Sequence, residues 1–126
     1  MRIVRKNQVD TPVIDRGGEL IFELLGATDA LGGTQNHSMI RLELTPGASS
    51  PAEPHFHRKT EETYVILSGH ARMMIAGEVF ELEAGDIMAA GIGEAHQITA
   101  AGHEPLKALA IMAPGFDPDD VFPVDG

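Results

Sequence analysis

Apolar and polar positions along this chain alternate in short runs broken by glycine and proline, and they do not follow a helical repeat. Glu19–Leu25 is a predicted strand that ends at Gly26. Residues 38–45 alternate, with Ile40, Leu42 and Leu44 on one face and Met39, Arg41 and Glu43 on the other. Residues 63–67 stop at Ser68 and Gly69, residues 71–75 at Ala76 and Gly77, and residues 79–82 at Ala84, Gly85 and Asp86. Further strands are predicted at 87–90, 97–100 and 106–112, and an N-terminal one at 3–9. Short strands at roughly 8–12-residue spacing, with no window of 12 or more residues that keeps a clean helical period without a Gly or Pro, predict an all-β sandwich or barrel. Residues 114–126 carry Pro114, Pro118 and Pro123, so they read as an extended strap that cannot be a central strand. The division expected is 1–36 as N-terminal strands, 37–113 as the barrel and 114–126 as the strap, all in one domain.

A length of 126 residues is one domain's worth. The formal net charge is −10, a field that repels phosphate backbones and anionic lipid, so neither nucleic acid nor a membrane surface is an expected partner. With no cysteine there is no disulfide, thiolate ligand or cysteine nucleophile. Residues 1–6 carry charge with no apolar stretch behind them, and the run at 108–115 is far short of the ~20 residues a spanning helix needs. A soluble, cytoplasmic protein is expected.

The chemistry concentrates in the histidines. His55 and His57 form a His-x-His pair, and on an extended strand i and i+2 point to one face, about 7 Å apart at Cα. Glu62 lies five residues on, and His96 follows the Gly85–Asp86 turn. Three neutral imidazoles and a carboxylate suit Mn, Fe, Co, Ni, Cu or Zn better than Ca or Mg. On an unbroken strand Glu61 shares the parity of His57 and Glu62 does not, so a turn or bulge over 58–60 has to decide between them. If Glu62 faces inward, so do Tyr64 and Ile66.

The order of these residues resembles the cupin superfamily. Its first motif reads here as Gly47, His55-Phe56-His57, Glu62 and Gly69, with six residues between Glu62 and Gly69. Its second reads as Gly85, Gly91-Ile92-Gly93, His96 and Ala100. The short interval between Gly69 and Gly85 is typical of small bacterial single-domain members. Seven residues instead of five separate Gly47 from His55, Gly91 stands where the family has proline, and Ala100 stands where it has asparagine. The resemblance implies a cupin-type double-stranded β-helix, or jelly-roll, barrel. It also implies a divalent transition metal on His55, His57, Glu62 and His96, with Glu62 favoured over Glu61 by its spacing to Gly69. A homodimer is expected by analogy, the N-terminal strand adding to a partner's sheet.

The expected function is a metal-dependent enzyme, an oxygenase, isomerase or lyase, acting on a small polar organic molecule. The alternative is a non-catalytic cupin holding a sugar-like or carboxylate ligand. Tyr64, the one tyrosine, is the candidate general acid or base, and Arg41 and Gln97 are candidate substrate-lining residues. His70 and His103 read as solvated turn residues, while His37 could reach a barrel mouth.

Overall fold

A computed structural model of the chain describes residues 3–26, 33–34 and 36–124. Among these residues, eleven strands pair antiparallel into two sheets. The first sheet runs β1 (Ile14–Arg16), β2 (Glu19–Leu25), β3 (Ser38–Leu44), β10 (Leu106–Ala113), β5 (Glu61–Ser68), β8 (Ile87–Ala90). The second runs β11 (Phe122–Pro123), β4 (Ser49–Phe56), β9 (His96–Ala101), β6 (His70–Ile75), β7 (Glu78–Glu83). This is the jelly-roll barrel that the cupin resemblance implies, within the all-β class that the alternating pattern predicts.

The period-2 rule places the core. On β3 it buries Leu42 and Leu44, on β5 Tyr64 and Ile66, and on β10 the run Leu106, Ala108, Ala110. Across from them β6 supplies Ala71 and Met73, and β9 supplies Ile98 and Ala100. Each large aliphatic chain in this cluster contributes about 1.5–3 kcal/mol by leaving water. The turn from β5 to β6 fixes the spacing of the first motif. Gly69 sits at φ +83, where a Cβ would stand 2.5 Å from the Pro105 carbonyl oxygen, so only glycine fits.

One expectation needs correction, and two strands had no counterpart in the sequence pattern. Residues 3–9 do not form a strand: Lys6–Gln8 is a 3-10 turn, because the Gln8 side chain accepts from the Arg5 N–H at 2.7 Å and its N–H donates to the Arg5 carbonyl at 2.9 Å. β4 was legible only around the histidines, since Pro51 and Pro54 argue against a strand. Its ladder to β9 does in fact break between Ser50 and His55, so the prolines fall where no backbone donor is asked of them. β1 is short and gave no pattern of its own. Among the described residues, no helix is long and apolar enough to cross a membrane.

Candidate metal centre

His55, near the end of β4, is the direct cross-strand partner of His96, the first residue of β9. β4 ends at Phe56, and the chain turns before re-entering the sheet as β5. That turn is held from outside: the Asp120 carboxylate accepts hydrogen bonds from the backbone N–H groups of Arg58 (2.9 Å) and Lys59 (3.0 Å). The turn resets the strand parity. Glu61 emerges exposed, and Glu62 points inward and is buried.

The four side chains meet, with one donor atom from each lying within 4.8 Å of the others. Imidazole centroids are 4.8 Å apart for His55 and His57, 4.9 Å for His55 and His96, and 5.3 Å for His57 and His96. Two of the rings are oriented from behind by main-chain carbonyls. His57 Nδ1 donates to the Asp120 carbonyl at 2.7 Å, and His96 Nδ1 donates to the Glu94 carbonyl at 3.1 Å. A carbonyl only accepts, so the proton of each neutral ring sits on Nδ1 and the Nε2 lone pair faces inward. There they meet another acceptor, Glu62 Oε1, at 3.3 Å from His57 and 3.0 Å from His96. His96 Nε2 is buried and has no hydrogen-bond partner. Converging lone pairs without donors are costly unless a cation joins them, and nitrogen–oxygen donors of this kind fit a divalent transition ion.

The electrostatics agree with this. Burial, followed by the neighbouring His96 and His57, lowers His55 to about 4, so it stays a neutral ligand far below neutrality. Burial also pushes His57 down, but the Glu62 carboxylate and the Asp120 carbonyl outweigh it and hold this ring above its ordinary value. Burial pushes Glu62 up, and the adjacent imidazoles of His57 and His96 override this to bring it to about 2. The buried Tyr64 phenol is raised well above its usual range, first by burial and then by Glu62, so it keeps its proton and can donate a hydrogen bond.

A cavity of about 460 Å³ opens beside the cluster, lined in part by His55, His57, Glu62 and Tyr64. The other two substrate-lining candidates lie outside it. Arg41 has the outward parity of β3, with its guanidinium carbon 4.1 Å from the centroid of the Phe22 ring and its Nε 2.9 Å from Glu43. Gln97 faces away from His96 and spends its amide on the Pro51 and Ala52 carbonyls (3.0 and 2.9 Å), covering the gap in the β4 ladder. His37 is not among the lining residues.

Glu19, Glu23, Arg16 and Phe116 do line the cavity and were missed. The signal for the glutamates was their shared parity with Ile21 on β2, hidden because Leu20, Phe22 and Leu24 make both faces apolar. Asp120 was missed because an aspartate in a Pro- and Asp-rich tail looks solvated. Backbone N–H bonds from Arg58 and Lys59 nevertheless hold its carboxyl below the usual range against the effect of burial. The tail is pinned around it. Phe122 stacks on Phe56 at 5.6 Å beneath the Arg58 guanidinium, and Thr60 donates to the Pro114 carbonyl at 2.9 Å.

Comparison with known proteins returns the same architecture. Residues 40–112 match the family model of the cupin domain. An uncharacterised protein of Methanocaldococcus jannaschii is 31% identical over 109 residues, covering 86% of this chain and 84% of that protein. The crystal structure of a predicted oxalate decarboxylase from Thermotoga maritima superimposes with a TM-score of 0.74 at 29% identity, covering 89% of this chain and 98% of that one. The polyketide cyclase RemF from Streptomyces resistomycificus superimposes with a TM-score of 0.77 at 21% identity, covering 100% of this chain and 87% of that one.

Proposed function

This chain belongs to the cupin domain family, and from that premise we propose that it is a metal-dependent enzyme acting on a small organic molecule bound in the cavity beside His55, His57, Glu62 and His96. One observation carries the reading: the buried, unpartnered His96 Nε2 faces the same point as the His57 Nε2 and a Glu62 oxygen. A divalent ion held there supplies Lewis acidity toward an oxygen of the bound molecule. The chain's own groups do the rest. The main-chain carbonyls of Asp120 and Glu94 fix two imidazole orientations, the apolar wall excludes water, and the Tyr64 hydroxyl donates a hydrogen bond to a ligand oxygen.

Oxygenase, isomerase and lyase chemistry all fall within this proposal, because the fold does not choose among them. A lyase has the support of the Thermotoga maritima relative, whose description names a predicted oxalate decarboxylase. Protein purified without added metal should carry about one transition-metal ion per chain by elemental analysis. Anaerobic Fe(II) loading followed by O₂ uptake with candidate substrates then tests turnover. Ligand binding without consumption would make the chain a non-catalytic binder, and absence of metal affinity would end the proposal.

A homodimer belongs to the same reading, supported by the partly uncovered apolar residues Leu20, Leu24, Leu109 and Ile111 on the outer parity of the first sheet. Light scattering at twice the chain mass would agree with it, and a monomer would remove it.

A further inference from the structure

We infer that the cavity is a slot for an elongated ligand, with an oxygen head group such as a carboxylate on the ion and an unbranched apolar chain running from it along β2. This rests on the metal-dependent reading above and gives its small molecule a shape.

Strand β2 shows the length. All four of its inward positions, Glu19, Ile21, Glu23 and Leu25, line the one cavity. At about 3.3 Å per residue they span about 20 Å. On the facing side β4 contributes His55 at the cluster and Ser50 beyond it. Ser50 and Glu19 lie toward the same end, because the Thr45 N–H donates to the Gly18 carbonyl at 3.0 Å and the Ala48 N–H to the Thr45 carbonyl at 2.9 Å.

The rows of the first sheet show the width. Level with the cluster, the lining reaches across three strands, from Glu62 through Met112 to Ser38. Two inward positions further along, Ile14, Ile21 and Leu42 still line the cavity. The next residues in that row, Ala108 and Ile66, are packed into the core at 0 and 1% exposure. The cavity therefore narrows toward β1 and β2 as it leaves the cluster. About 460 Å³, ordinary for a small-molecule site, is drawn out here into a shape that suits a chain better than a branched body.

The chemistry divides along the same axis. The middle is aliphatic, with Ile14, Ile21, Ile40 and Leu42, and each methylene buried there favours binding by about fourfold. Glu23, on the same wall, already has a partner. At the far end the buried Glu19 has its Oε1 3.7 Å from Nε of Arg16, whose side chain is largely exposed. An anionic head group is costly to bury unpaired, and the ion at the cluster meets that cost. A chain anchored there by its head has the apolar wall of β2 to follow.

Calorimetry on the zinc-loaded full chain tests this with decanoate, butanoate and 2-butylhexanoate, the last a branched isomer with the atoms and charge of decanoate. Decanoate should bind at least about tenfold more tightly than either of the others. Ile21→Phe and Ile14→Phe narrow the slot from two paired strands. Each should weaken decanoate by about tenfold, with butanoate binding and zinc content unchanged; if one variant fails to fold, the other stands. A branched isomer that binds as tightly as decanoate, no gain from butanoate to decanoate, or decanoate binding indifferent to both variants would overturn the inference. Failure to take up zinc would instead remove the metal-dependent reading. The slot is then read on the metal-free chain with 1-decanol against 2-butyl-1-hexanol, where a preference for the straight alcohol upholds it and equal binding overturns it.

Discussion

Two flanks of one barrel interior are finished differently. Between β5 and β10 on one sheet and β6 and β9 on the other, Ala71, Ala100, Ala108 and Ala110 let the layers close around Ile66, Met73 and Ile98, all at 1% exposure or less. Between β1–β3 and β4 the inward positions are larger or polar, and they leave the cavity. The same alternation builds both flanks, so side-chain size and polarity at the inward positions decide where the barrel is solid and where it is a site. The cluster stands where the two flanks meet: Glu62 and His96 come from core strands, His55 and His57 from the cavity side.

The largest expected effect strikes that seam. His57→Ala should cost at least about a hundredfold in metal affinity, since changing mere supporting groups already costs about 10–100-fold. Elemental analysis checks it, and unchanged content would place the ion elsewhere. Next comes the contrast between flanks. Ile98→Ala in the solid part should cost about 2–5 kcal/mol by urea unfolding, and Ile21→Ala, which faces existing space, less than about half of that. Equal losses would erase the distinction.

A smaller effect follows from the tail. Asp120→Ala should weaken metal binding by about 10–100-fold, while Asp119→Ala, at an exposed neighbour, should leave it unchanged. Titrations of both variants against a chromophoric chelator separate the cases. Smallest is the proton linkage. His57, held above its ordinary 6.5, must lose a proton to bind, so affinity should fall as pH drops through that region. His55, at about 4, should add to the loss only at lower pH. Calorimetry in buffers of different ionisation enthalpy should find about one proton released per ion near pH 6.5.

Legibility in the sequence followed the range of the interactions. Strand parity, the turn glycines and the His-x-His spacing are local, so the barrel and the His55–His57 pair could be read directly, and Glu62 and His96 joined them through the spacing of the cupin motifs. Glu62 over Glu61 could not be settled by parity, because the turn that decides it is held by Asp120, more than fifty positions further on. Arg41 and Gln97 lie outside the cavity for a related reason. Each sits beside an inward residue, and only the sheet shows that it points outward to Phe22 or to the β4 carbonyls. The candidate metal ligands led to the expectation of a small polar molecule, whereas the cavity wall is mainly apolar, a property of which strands meet and not of any one strand.

The 63-residue interval between His57 and the carbonyl that orients it has a bearing on biosynthesis. As the polypeptide emerges from the ribosome, His55, His57 and Glu62 are exposed well before His96, and all four precede residue 120. A nascent chain therefore offers at most a loose, incomplete chelate to whatever metals the cell holds. Until the tail has docked, the Asp120 carbonyl is not in place to orient the His57 ring.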